Sequence, residues 1–93
     1  MTWIKTVPLS EAGKELIEAL EKQRPLYPQE YIAPVFPQED GVAGIVGSHT
    51  LIPGALYHAF STFGVLMSPE LPLTRRQQEM ITTMVSVTNR CFY

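Results

Sequence analysis

The 93-residue chain has one cysteine and two histidines. A single thiol rules out any internal disulfide, and with it a secreted disulfide scaffold; so few Cys and His side chains also put the usual four-ligand zinc sites out of reach. No metal and no cofactor is expected. Basic residues are scarce too: seven Lys and Arg stand against nine Asp and Glu for a net charge of −2, and Arg75-Arg76 is the one basic cluster. That leaves no positive stripe to follow phosphates, which argues against nucleic-acid binding. The amino terminus, MTWIKTVPLSEAGKEL, lacks both a long apolar run and a small-residue cleavage site. It does not read as a secretory signal, and a cytoplasmic protein is expected.

Charge is absent altogether from one long stretch. The first forty residues hold seven acids and four bases, whereas Gly41 to Pro69 is 29 residues without Asp, Glu, Lys or Arg. Gly44, Gly47, Ser48, His49, Pro53, Gly54, His58, Ser61 and Thr62 interrupt it too often for a membrane span of about 20 apolar residues. A segment buried on several sides is the better account. A chain this short buries only about 60 to 65% of its unfolded surface, so that burial is expected against a second subunit or against residues of a longer parent chain.

What is present divides into three regions of a single all-α domain: an N-terminal helix over 1–23, a proline-rich crossing segment over 24–40, and a helical body over 41–93. Ser10 is a candidate N-cap, after which Ala12, Leu16, Ile17 and Leu20 fall on one face, with Glu18 and Lys22 paired at i,i+4. Pro25, Pro28, Pro34 and Pro37 are half of the eight prolines, and the interleaved Tyr27, Tyr31 and Phe36 are expected to pin this extended segment to the body. GVAGIVG meets neither nucleotide fingerprint, because no Lys-Ser/Thr follows it and no strand-like run precedes it. Its glycines suit a short helix that lets another backbone approach.

Pro53 suits the first position of the next helix, in which Leu56, Phe60, Phe63 and Met67 form a bulky core stripe. Thr74-Arg-Arg-Gln77 is a capping box opening a further helix, whose buried face is expected to carry Met80, Ile81, Met84, Val85 and Thr88. Asn89-Arg90 then turns the chain before Cys91. Four residues could carry chemistry: His49, His58, Glu79 and Cys91. A thiol becomes a nucleophile where a helix N-terminus or a cation favours its thiolate. A glutamate one turn after Arg75 otherwise reads as an exposed helical ion pair, and His58, out of register with the stripe, as a packing histidine.

The run RRQQEMITTMVSVTNRC, with VAGIVGSHTLIPGALYHAF and FGVLMSPELPLTRRQ before it, resembles the front half of the alkylhydroperoxidase D-like proteins. These are the peroxidase-related branch of the carboxymuconolactone decarboxylase family. The signature is Glu, eleven residues, Cys-x-x-Cys, three residues and His; Glu79 and Cys91 match its first two elements, and Cys91-Phe92-Tyr93 supplies Cys-x-x. The second cysteine and the histidine would fall beyond position 93, as if the chain were cut inside the motif. The resemblance implies the N-terminal half of a helical bundle completed by oligomerisation. It also implies a thiol-dependent reduction of peroxides, with Glu79 in a Glu/His proton relay, Cys91 as the resolving thiol and an external thiol reductant. By itself the 93-residue chain is then expected to be inactive. A straight helix would hold Glu79 and Cys91 about 18 Å apart, so their meeting needs a bend.

Two alternatives stand beside this. One is a non-enzymatic helical module whose uncharged stretch over 41–69 is a homo-oligomer or partner interface. The other is a lactone decarboxylase or isomerase resting on His49, His58 or Arg76.

Overall fold

The computed structural model describes residues 3–31, 33 and 44–91, and these are helical with no strand among them. Helix α1 spans Lys14–Gln23, α2 Gly44–Gly47, α3 Pro53–Leu66 and α4 Arg75–Thr88, with short 3-10 turns at Leu9–Glu11, Arg24–Leu26 and Gln29–Tyr31. The all-α expectation holds for the described residues. Phe36, Pro34 and Pro37 lie outside them.

Helix α1 starts later than the Ser10 cap predicts. Glu11 N–H donates to the Pro8 carbonyl and Ala12 N–H to the Leu9 carbonyl, closing a 3-10 turn across Ser10. The first α-helical bond runs from Ile17 N–H to the carbonyl of Gly13, which is extended and caps with no side chain. Glu18 pairs backward with Lys14 at 3.8 Å rather than forward with Lys22. Of the predicted stripe, Leu16 is buried and Ala12 and Leu20 pack beside it, while Ile17 stays exposed and Ala19 takes its place in the core.

The core is the seam between α1 and α3. Leu16, Ala19 and Leu56 are its buried centre, and Val7, Ala12, Leu20, Val46, Tyr57 and Phe60 pack around them. Pro53 opens α3 as expected, and its stripe meets the body from the fully buried Leu56 down to Met67. The N-terminal strip is stapled to this seam by Thr50. Its buried hydroxyl donates to the Gly47 carbonyl at 2.8 Å and accepts from Val7 N–H at 2.8 Å, so neither polar role is left open.

Of the GVAGIVG glycines, for which a close backbone approach is expected, Gly41 lies outside the described residues and Gly47 is buried. Gly44 faces open space, whereas a methyl group at Gly64 would meet Leu26 Cβ at 2.5 Å and the Leu26 carbonyl oxygen at 3.1 Å. The turn that follows α1 therefore lies directly on the backbone of α3. From there Tyr27 sets its ring edge-on to Phe63 at 5.5 Å and Phe60 at 6.4 Å, and Tyr31 stacks on Phe63 at 6.0 Å. Two of the three expected aromatic anchors thus hold the crossing segment to the body.

Helix α4 departs most from expectation. The capping box is present: Thr74 Oγ1 accepts from Gln77 N–H, and Gln77 Oε1 accepts from Thr74 N–H at 2.9 Å. The helix it starts, however, is turned the other way round. At about 100° per residue, Met80, Met84, Val87, Ile81, Val85 and Thr88 fill one arc, and Arg75, Gln78, Glu79, Thr82 and Ser86 the opposite one. The polar arc is the covered one. Gln78 is buried, with Nε2 donating to the Ser68 carbonyl at 2.9 Å and the Leu66 carbonyl at 3.3 Å at the end of α3. Met80, Ile81, Met84, Val85 and Val87 are 53 to 65% exposed. The burial expected for this stripe is reversed within the chain, because the polar contacts of the first turns direct the other face inward. Ile45, Leu51, Ile52, Val65 and Leu66 of the uncharged stretch are exposed as well.

The Leu26 contact gives a sharp substitution test. Gly64→Ala should cost about 1–3 kcal/mol, since neither Leu26 Cβ nor its carbonyl can give way freely. Gly54→Ala, where a methyl meets open space, should be neutral or gain up to about 1 kcal/mol. Urea unfolding of the two variants beside the parent chain checks both; equal stability of the pair would refute the close approach.

Candidate functional site

Because the capping box fixes the first turn of α4, Arg75 and Glu79 stand one above the other on its covered side. Arg75 Nε donates to Glu79 Oε1 at 2.8 Å, the i,i+4 ion pair that the spacing predicts. Two further groups reach this pair from the Gln29–Tyr31 turn. Tyr31 donates its hydroxyl to the same Glu79 Oε1 at 2.9 Å, and Glu30 Oε2 lies 3.6 Å from Arg75 Nη1. The Arg75 guanidinium sits 5.3 Å from the centre of the Tyr31 ring, within cation–π range.

The electrostatics follow from that geometry. The Tyr31 hydrogen bond, then the Arg75 hydrogen bond, holds the Glu79 carboxyl below the usual carboxylate range. Burial, then the bond to Glu79, pushes the Tyr31 phenol up. Both donors use Oε1, which fixes the plane of the carboxylate. Deeper in the seam, burial alone pushes the Tyr27 phenol up to about 12.

Cys91 lies at the other end of α4. Arg90 adopts φ 54°, the left-handed conformation that favours glycine, while its N–H donates to the Val87 carbonyl and Cys91 N–H to the Ser86 carbonyl. This is a Schellman cap with arginine at the glycine position. It is the turn expected at Asn89-Arg90, and it delivers Cys91 outside the helix with an exposed thiol. It does not bring Cys91 back to Glu79. Unbroken helix from Glu79 to Thr88 sets them about 13 Å apart along the axis before the cap begins.

Neither histidine joins the acid or the thiol. His49 Nδ1 lies 2.8 Å from the Ile45 carbonyl oxygen, so that nitrogen carries the proton; its ring packs edge-on to Phe60 at 5.3 Å. It closes the turn after α2. His58 is exposed on α3, its ring 5.1 Å from that of Tyr57. No contact among the described residues joins His49, His58 and exposed Arg76, the set that a lactone enzyme would use. Among the described residues no three His, Cys, Asp or Glu side chains are placed to hold a metal ion, and no helix is long and apolar enough to cross a membrane.

Sequence spacing identified Arg75 with Glu79 but missed Glu30 and Tyr31. Tyr31 lies 48 residues before Glu79, and no local periodicity encodes a contact at that separation.

The Glu79 contacts predict a pH response of definite sign. A carboxyl whose folded pKa lies below the ~4.3 of an unfolded glutamate contributes stability that is full at neutral pH and is lost as pH falls through the folded value. Tyr31→Phe should move the Glu79 titration, followed by carboxyl-carbon NMR, upward toward the ordinary range. At this exposed position it should cost less than about 1 kcal/mol at pH 7. An unmoved titration would show that the hydroxyl does not bond the carboxylate.

Comparison of the chain with protein-family models, with curated proteins and with solved structures finds no match.

Proposed function

We propose that the chain carries the first part of a thiol-dependent, peroxidase-related site of the alkylhydroperoxidase D-like kind. The observation that supports this best is the disposition of Glu79 and Cys91 on α4. Two donors hold an ionised carboxylate on its first turns, and eleven residues later a left-handed cap frees a thiol from the helix end. In this reading the second cysteine and the relay histidine come from residues after Tyr93. A thiolate attacks the peroxide O–O bond, leaving a sulfenic acid and releasing an alcohol or water. Cys91 then displaces the sulfenic hydroxyl as water to close a disulfide, and an external dithiol reduces it. Glu79 accepts and returns protons in these steps. Its axial distance from Cys91 assigns the transfer to an intervening group, the part the resemblance gives to histidine. The setting is cytoplasmic, where such a thiol stays reduced between turnovers.

A second reading rests on a different observation, the outward apolar arc of α4. In it the chain is a helical association module and Cys91 has no chemical duty.

The two part company in an assay. The open reading frame and the intact mass of the native protein are read first, and a frame that stops after Tyr93 rejects the peroxidase reading. With the full-length protein, Cys91→Ser should abolish peroxide-dependent oxidation of a dithiol reductant, and Glu79→Gln should slow it by about 100-fold or more. Unchanged turnover in Cys91→Ser would leave the association module.

A further inference from the structure

We infer that the seam between α1 and α3 binds one internal water molecule, held by Gln23 Oε1, Ser61 Oγ and the Tyr27 hydroxyl. These three side-chain atoms are buried and find no hydrogen-bond partner among the described residues. A buried polar atom left in that condition weakens folding about five- to 150-fold. Gln23 is the most constrained of the three. It is 5% exposed, and its Nε2 donates to the Leu20 carbonyl at 3.2 Å. A carbonyl accepts only from the nitrogen of the amide, which fixes the other, unpartnered end as the oxygen.

The packing brings the three to one level of the seam. Leu16, Ala19 and Gln23 are the buried residues of α1. Leu16 and Ala19 meet Leu56 in the first turn of α3, and Leu26 meets Gly64 about two turns later. The chain through α1 and its following turn therefore runs in the same direction as α3. Gln23 stands three residues before Leu26, and Ser61 three before Gly64 on the same face of α3, which sets them opposite one another. Tyr27 follows Leu26 directly, and its ring rests on Phe60 and Phe63, on either side of Ser61.

The donor and acceptor roles fit water. The amide oxygen only accepts, whereas each hydroxyl can donate and accept. Burial pushes the Tyr27 phenol up to about 12, so it keeps its proton and serves as a donor. One water accepts from Tyr27 and donates to Gln23 Oε1 and Ser61 Oγ, the three bonds typical of a buried water. All three groups are neutral, and among the described residues no three His, Cys, Asp or Glu are placed to hold a metal ion. A charged ligand would have nothing there to balance it. The water thus ties the end of α1 and the start of the crossing segment to the middle of α3.

This water requires nothing of Glu79 or Cys91, and its test reads hydration and stability rather than turnover. Water-to-protein cross-relaxation in the NMR spectrum of the chain should reveal a long-lived water beside the Gln23 side-chain amide and the Tyr27 ring. Ser61→Ala distinguishes a bridged hydroxyl from an orphan one by sign. Loss of a bridged hydroxyl should raise the unfolding constant in urea about fivefold or more. Loss of an orphan would lower it, alanine also being the better helix former. Tyr27→Phe should act in the same direction as Ser61→Ala. Combining Gln23→Met with Ser61→Ala should fall short of the product of the two single effects by about threefold or more, a coupling of side chains that only the water connects. Should Gln23→Met fail to fold, Tyr27→Phe with Ser61→Ala carries the coupling test. No long-lived water at these groups, no rise in the unfolding constant of Ser61→Ala, or purely multiplicative effects in the double variant would overturn the proposal.

Discussion

The absence of a side chain at Gly64 is the constraint on which the rest of the structure depends. It lets the turn after α1 rest on the backbone of α3, with Leu26 where a Cβ would otherwise stand. From that point the chain has little freedom. Tyr27 and Tyr31 meet the rings of Phe60 and Phe63, and the Tyr31 hydroxyl then arrives at Glu79. A glycine in the middle of one helix thereby places a phenol on a carboxylate in another. Packing more than ten residues away along the chain thereby helps hold the Glu79 carboxyl below the usual carboxylate range.

Local chemistry was legible in the sequence and long-range partnership was not. The Thr74–Gln77 capping box, Pro53 at the head of α3, the Leu56-to-Met67 stripe and the turn before Cys91 each depend on neighbours within a few residues, and each stands where the spacing placed it. The Arg75–Glu79 pair was legible for the same reason. The start of α1 was missed because Pro8 and Leu9 carbonyls capture the amides near Ser10 in a competing 3-10 turn. The close approach at Gly64 was missed because three glycines at even spacing are a stronger signal than one alone. Periodicity identified the apolar arc of α4, yet periodicity cannot say which side of a helix its own chain will cover.

The acid and the thiol on α4 sit in contrasting environments. Glu79 is clamped by two donors at the capped start of the helix, whereas Cys91 is held by its backbone alone, beyond the C-terminal cap. A clamped carboxylate keeps its orientation as protons come and go nearby. An exposed thiol on a fixed backbone can accept a partner from several directions. The helix between them is a spacer of set length, so any chemistry that joins them must be bridged rather than direct.

The arginine in the left-handed cap has a cost that bears on how α4 ends. A side chain at φ 54° is tolerated where glycine would be easier, at about 1 kcal/mol. Neighbouring bonds from Arg90 and Cys91 amides hold the cap against that strain. The end of α4 is consequently a strained but bonded cap, and a glycine in place of Arg90 would relieve the strain while leaving both amide bonds in place.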